Sequence, residues 1–325
     1  MLSAFCDWLL FDLFELNPSS KVAHVLHFFV ADAIKIMLLL FVMIFMIGFL
    51  RSFLPQEKIK QWLTRRGVLG NLMAALLGAI TPFCSCSSIP MFFGFLKTGV
   101  PLGVTFSFLI TSPLINEYLA VLMIGTFGWK ITLAYVISGL AMGTIGGMVL
   151  GSMKLEHLLM KDIINDSQVK QHEQKKFSFY ERLHFGWQEA ISIINKLWIW
   201  ILVGVGIGAL IHNFVPQEAI QAVLKKTGIF SVPLATFIGV PLYGSCASIV
   251  PVAVVLFEKG LPIGTALSFM MAMSALSLPE AVLLKRAMSL KLIVIFFSIT
   301  TTGIIVTGYV FNVLQPLLVQ TGGVR

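Results

Sequence analysis

Charge is scarce in this chain. Of 325 residues only 12% are Asp, Glu, Lys or Arg, against 57% hydrophobic residues and a mean hydropathy of +0.91. A soluble domain cannot cover its surface with so few charges, so a soluble fold is excluded. Cysteine is scarce too. The four are Cys6, Cys84, Cys86 and Cys246, and Cys84 and Cys86 stand too close in sequence for an easy bridge, so a disulfide framework is excluded. No G-x-x-x-x-G-K-[ST] string occurs, which argues against ATP hydrolysis in this chain. No adjacent His–Asp pair supports a nucleophilic cysteine, and an enzyme is not expected. The first 17 residues contain Asp7, Asp12 and Glu15 and no basic side chain, the reverse of a secretory leader.

What is present is apolar sequence in long runs. Spans are expected at Val22–Leu50, Leu69–Leu96, Pro101–Phe127, Lys130–Met153, Trp187–His212, Val232–Phe257, Pro262–Leu284 and Leu292–Leu314. A crossing helix needs roughly 20 apolar residues, and several of these suffice. Lys154 to Arg182 is a polar linker. The chain therefore divides into an N-terminal transmembrane repeat (1–153), a cytoplasmic polar linker (154–185) and a C-terminal transmembrane repeat (186–325).

The halves repeat at an offset within a residue of 161. Gly67 matches Gly228, Cys86 matches Cys246, Gly99 to Gly103 matches Gly260 to Gly264, and Lys130 matches Lys291. Lys35 and Lys196 correspond at the same spacing. Agreement over such a distance implies internal duplication.

Two strings break the apolar runs: TPFCSCSSIP at Thr81–Pro90 and PLYGSCASIVP at Pro241–Pro251. In hydrocarbon every backbone N–H and C=O needs a partner, so a broken helix survives only against protein or a water-filled cavity. Matching breaks in two halves point to a transport site. Leu69–Leu96, with 28 residues, is about 42 Å long as one helix. That is too long for one crossing and too short for two. A re-entrant hairpin of two half-helices fits instead. Each half then has three crossings, an odd number, so the repeats must be inverted. Placing the linker inside puts 15 Lys and Arg inside and 6 outside, as the positive-inside rule requires. The net charge of +8 thus reports loop orientation rather than nucleic-acid binding.

The fold class expected is all-α: a polytopic membrane protein of two inverted repeats, each with three spanning helices and a broken re-entrant hairpin. If the two tips meet at midplane, Cys84, Cys86 and Cys246 converge. Soft thiolates select Cu(I), Zn(II) and similar soft ions, and by the same softness trivalent arsenic or antimony. The competing account is that small Cys and Ser let helices approach closely. Around them stand Thr81, Ser85, Ser87 and Ser88 in one tip, and Tyr243, Ser245 and Ser248 in the other. These hydroxyls can bind an oxyanion together with half-helix N-termini, or simply satisfy backbone groups freed by the prolines.

Asn116 and Glu117 follow the Ser112-Pro113 break, and Glu280 follows Pro279. Carboxylates at that depth face a cavity or a partner, which suggests proton coupling or cation attraction. Capping of a half-helix is the plainer alternative. Asp32, Lys35, Lys196, His24, His27 and His212 lie nearer span ends and read as interfacial. The fifteen Met are scattered and read as apolar filler.

TPFCSCSSIP, GFLKTGVPLG, SFLITSPLINE and GSCASIVPVAVVLFEKGLPIGTALSFMMAMSALSLPE together resemble the predicted-permease family that includes the ArsP organoarsenical efflux permeases, the YraQ-like permeases. The resemblance runs from about residue 30 to 315. It implies a multi-pass inner-membrane permease, with Cys84, Cys86 and Cys246 as candidate substrate thiols. The expected function is export of a thiol-reactive soft substrate, such as a trivalent organoarsenical or a soft metal ion. The alternative is a permease for a sulfur compound or small oxyanion. Expected partners are the lipid bilayer and a small-molecule or ion substrate. No cofactor and no nucleic acid are expected.

Overall fold

The computed structural model describes residues 67–81, 85–97, 99–159, 228–242, 246–258, 260–285 and 288–319, with helical positions between 29 and 49 and between 179 and 202. Among the described residues every regular element is a helix, and the one extended pairing is an isolated antiparallel bridge between Leu159 and Met288. In the first half α1 is Val68–Ile80, α2 Ser85–Lys97, α3 Leu102–Leu114, α4 Glu117–Phe127 and α5 Trp129–Ser152. In the second half α6 is Ser231–Gly239, α7 Cys246–Glu258, α8 Ile263–Ala275, α9 Leu278–Leu284 and α10 Leu290–Val319. The linker, Lys35, Lys196, Asp32 and the three named histidines lie outside the described residues, apart from the linker's two ends.

Length decides what each helix can do. Helices α5 and α10 have 24 and 30 residues and are apolar enough to cross a membrane. Helix α8 continues into α9 as one apolar span of 22 residues. Helices α3 and α4 form a broken span bent by 49°. By contrast α1 and α2 have 13 residues each, about 20 Å at 1.5 Å per residue. Neither can cross about 30 Å of hydrocarbon alone. The expected division of Leu69–Leu96 into two short helices is therefore what the fold contains, as is that of its counterpart, α6 and α7.

The outer faces are apolar as well. Along α5, Trp129, Leu133, Ile137, Ile145 and Val149 are exposed, spaced by multiples of four in a stripe that winds around the helix. Along α10, Val294, Val306, Val310 and Val313 are exposed. A helix apolar on both its packed and its outward face belongs in hydrocarbon.

Equivalent helices end in the same way. Helix α2 closes with Gly99 N–H donating to Leu96 O at 3.0 Å and Val100 N–H to Phe95 O at 3.1 Å. Helix α7 closes with Gly260 N–H to Phe257 O at 2.9 Å and Leu261 N–H to Leu256 O at 3.2 Å. Gly99 and Gly260 have φ of 77° and 87°. This pair of bonds around a left-handed glycine is the Schellman stop, and a proline follows each.

The packing repeats too. In the first half α3 packs against α1, α2 and α5; in the second α8 packs against α6, α7 and α10. Contacts across the halves also come in matched sets: α4 against α7 and α9 against α2, with α3 on α8 and α5 on α10 between them. A Cβ on Gly78 would lie 3.0 Å from Phe108 O, and one on Gly239 3.0 Å from Phe269 O. Gly103 and Gly147 meet backbone to backbone, as Gly264 and Gly308 do. All of these positions are related by 161 residues.

Two contacts join a residue to its own counterpart. Ser274 Oγ donates to Pro113 O across α8 and α3, at a sequence separation of 161. Met142 Sδ lies 2.8 Å from the position of a Cβ on Gly303, across α5 and α10. A residue that touches its own counterpart must lie beside the relation that exchanges the halves. Gly146, four residues after Met142, faces Ile299, four residues before Gly303. As α5 advances α10 retreats, so these equivalent helices run antiparallel.

Candidate substrate site at the paired helix breaks

The two breaks lie at equivalent places. Helix α2 opens at Ser85 and α7 at Cys246, 161 residues later, and both close in register. That register corrects one detail of the sequence reading. Cys246 stands opposite Ser85 rather than Cys86, and Cys84 stands opposite Ser245. The thiols therefore alternate between the tips instead of duplicating. Cys84, Tyr243 and Ser245 lie outside the described residues. So do the side chains of Ser85, Cys86, Ser87, Glu117, Cys246 and Ser248. What the structure places is the backbone of Ser85–Ser88 and Cys246–Ser248, each in the first turn of a 13-residue helix. Among the described residues no three His, Cys, Asp or Glu gather as a metal site would need.

Two of the tip hydroxyls have placed side chains: Thr81 Oγ1 donates to Leu77 O at 2.7 Å at the end of α1, and Ser88 reaches α3. Ser88 is fully buried, with its Oγ 2.6 Å from Ser112 Oγ of α3. This contact fastens the first turn of α2 to the last turn of α3. The next residue, Pro113, presents the carbonyl that Ser274 holds from the other half. Ser88, Ser112 and Ser274 thus form a buried hydroxyl seam where α2, α3 and α8 meet. Thr111 is also fully buried and donates to Ser107 O at 2.9 Å.

Below the seam both second breaks open a helix. Asn116 O accepts from Ala120 N–H at 2.8 Å and Ser277 O from Ala281 N–H at 3.1 Å. Asn116 and Ser277 are counterparts. Glu117 is the first residue of α4 and Glu280 the third of α9, so the two carboxylates fall in equivalent first turns but at different positions. Glu280 is 2% exposed. In the first turn of a helix a carboxylate complements the positive end of the dipole. Helix α9 packs on α2, which puts the helix carrying Glu280 beside the one carrying the Cys-Ser tip.

The structure brings Ser88 into the seam and buries Glu280. The meeting of three thiols falls outside what is described. Sequence reasoning missed Ser112 and Ser274. Ser112 was visible as the residue before an intramembrane proline. Ser274 was visible as the residue 161 positions after that proline.

Half-helices, membrane-length apolar helices and a polar seam between two like halves define a polytopic membrane permease. The chain belongs to the ArsP_1 family of predicted permeases, whose model matches residues 21–313. Its curated relatives are similar but distant. One is described as a two-component membrane permease complex subunit, from Streptococcus mutans, at 22% identity over 59% of this chain and 64% of the relative. Another is the UPF0718 protein YcgR of Bacillus subtilis, at 22% identity over 54% of this chain and 59% of the relative. A third is the UPF0718 protein MJ0584 of Methanocaldococcus jannaschii, at 20% identity over 74% and 81%. The chain thus spans a little under two thirds of the first two. No solved structure matches it.

Proposed function

We propose that this permease is a secondary transporter of two inverted repeats, which moves a thiol-reactive soft substrate outward through a site between the two helix breaks. The observation that carries the reading is the antiparallel contact of α5 with α10, through Met142–Gly303 and Gly146–Ile299. Equivalent helices, each long enough to span, that run antiparallel cross the membrane in opposite senses. Inverted repeats of that kind carry their site at midplane, between broken helices. The domain division at 153 and 186 follows from the same repeat, with the linker on the cytoplasmic side of the inner membrane. Cys84, Cys86 and Cys246 are the proposed ligands, chosen because thiolate softness matches trivalent arsenic, Cu(I) and similar ions. Ser85, Ser88, Tyr243, Ser245 and Ser248 ring them. Asn116, Glu117 and Glu280 tune charge or carry protons, since carboxylates at this depth take functional roles.

A second reading has its own support. Ser85 and Cys246 head 13-residue helices, and helix N-termini favour anions. A sulfur compound or small oxyanion would then depend on Ser85, Ser88 and Ser245 rather than on the thiols.

The deciding test is growth of an efflux-deficient bacterium that expresses the chain or its Cys84/Cys86/Cys246 triple serine variant. The challenges are trivalent methylarsenical, arsenite, Cu(I) and Zn(II). Protection by the wild type alone supports thiol-ligated export and identifies the substrate class. Equal protection by both removes the cysteines from the mechanism. No protection by either, with the protein shown in the membrane, favours the oxyanion or sulfur-compound reading.

A further inference from the structure

The two halves agree helix by helix and part at one joint. Ile115 closes α3 and Leu276 closes α8, and the two are repeat counterparts. Up to that peptide the backbones match. Ile115 N–H donates to Thr111 O at 2.9 Å, and Leu276 N–H to Ala272 O at 3.0 Å. Beyond it they diverge. Ile115 has φ −114° and ψ 106°, while Leu276 has φ −133° and ψ 31°. The outcome is a 49° bend between α3 and α4, against a gentler turn between α8 and α9, which together make one apolar span of 22 residues.

The residues two positions before the joint differ in kind. Pro113 has no N–H and no hydroxyl, and Ser274 has both. Ser274 Oγ donates to Pro113 O, so the gently bent half holds the carbonyl of the sharply bent one. The reverse bond has no donor. Pro113 and Ser274 each stand twelfth in a helix of thirteen residues, so a proline is accommodated at this position in one half already.

We propose that Ile115 and Leu276 are paired hinges, one sharply bent and one gently bent, and that their exchange of shape carries the helix breaks from access at one membrane face to access at the other. The inference rests on the inverted-repeat transporter reading. Two repeats on one backbone have a second state in which each takes the other's shape, and populations shift between the two. The Pro113–Ser274 pair sets which shape is favoured, because it is the sequence difference nearest the joint that is tied across it.

The test exchanges that pair. The full chain and its P113S/S274P double variant are prepared in right-side-out and inside-out membrane vesicles and alkylated with a membrane-impermeant maleimide. Peptide mass spectrometry then assigns adducts at Cys86 and Cys246. The wild type is expected to react about tenfold faster from one face, and the double variant from the opposite face. A folded, monodisperse double variant that keeps the wild-type face overturns the hinge proposal. If the double variant does not fold, Ser274→Ala decides. It removes the tie without adding a proline and should shrink the facial preference about threefold, and an unchanged preference overturns the proposal. Wild-type thiols reached equally from both faces, or from neither, would instead sink the transporter reading itself and the hinges with it.

Discussion

Replacing Gly147 by alanine tests whether the first half is built on direct backbone contact. A Cβ there falls on Ser107 Oγ, 2.6 Å from Gly103 O and 2.8 Å from Ser107 N. Two of these three neighbours are backbone atoms and cannot swing aside. Ser107 Oγ is a side-chain atom, but its one proton is shared between Asn71 Oδ1 at 2.9 Å and Gly103 O at 3.2 Å, in a fully buried place. Relief of the clash therefore strains the contact of α3 with α5 and also breaks the tie from α3 to α1. Overpacking costs about 1–3 kcal/mol, and loss of the hydrogen bond adds about 1 kcal/mol. A total of about 2–4 kcal/mol lowers Tm by ~4–8 °C, at about 2 °C per kcal/mol for a chain of this size. Gly125→Ala is the control. Gly125 lies within α4 with nothing within 4 Å of its Cβ position, so alanine should raise Tm slightly through helix propensity, by about 0.5–1 kcal/mol. The assay is thermal unfolding of the detergent-purified protein, followed by intrinsic fluorescence. Equal Tm values for Gly147→Ala and the wild type would falsify the contact argument for this interface.

Four further outcomes follow from single contacts. Gly308→Ala in the second half should cost about as much as Gly147→Ala, because its Cβ meets Ser268 Oγ, with Val232 Cγ1 at 2.7 Å and Gly264 O at 3.1 Å; a Tm within a degree of wild type would refute the equivalence of the halves. Asn312→Ala removes the acceptor of Gly264 N–H at 2.8 Å and should lower stability by about 1–2 kcal/mol, with Asn312→Asp retaining most of it, as read by the same unfolding curve. Tyr135→Phe loses the bond to Leu114 O at 3.0 Å and should cost about 1 kcal/mol while leaving the fold intact by circular dichroism. Glu280→Gln keeps the size of a side chain that is 2% exposed and should fold normally. If Glu280 carries protons, uptake into vesicles by this variant loses its dependence on an imposed pH gradient, and unaltered gradient dependence removes Glu280 from coupling.

Much of the fold was legible because membrane folds repeat strong signals. Prolines and Cys-Ser pairs inside apolar runs marked the helix breaks, since hydrocarbon leaves no other use for them. The offset of 161 was visible in Gly99 and Gly260, which proved to be the left-handed stops of α2 and α7. Inversion of the halves was expected from the odd number of crossings and the charge count, but the contact that sets α5 antiparallel to α10 was not legible. It depends on Met142 and Ile299, ordinary apolar residues with no motif. The seam was only half legible. Ser88 stood in the Cys-Ser string, but its partner Ser112 and the tie from Ser274 depend on how three helices pack. Register was misread by one residue at the tip, because identical cysteines are a stronger signal to the eye than the glycines that fix the helix ends.

The halves satisfy the same backbone with different side chains, and this says what the repeat constrains. In the first half Asn71 of α1 receives the Ser107 hydroxyl from α3. Its counterpart Val232 offers nothing, and Ser268 turns instead to Ile304 O at 3.5 Å. In the second half the first N–H groups of α8 are held from α10: Ile263 N–H by Gln315 Oε1 at 3.1 Å and Gly264 N–H by Asn312 Oδ1 at 2.8 Å. At the position equivalent to Asn312 the first half has Gly151, which lets Gly103 approach to 2.9 Å of its Cβ position. One half therefore closes the helix start with an amide, the other with contact. Both answers meet one demand, that the N–H groups at a helix start, which have no partner within the helix, are held or enclosed. Geometry is shared while polar partners are free to differ, so the differences between counterparts are where each half acquires a separate task. Pro113 opposite Ser274, and Cys84 opposite Ser245, are such differences, and they lie at a joint and at a tip.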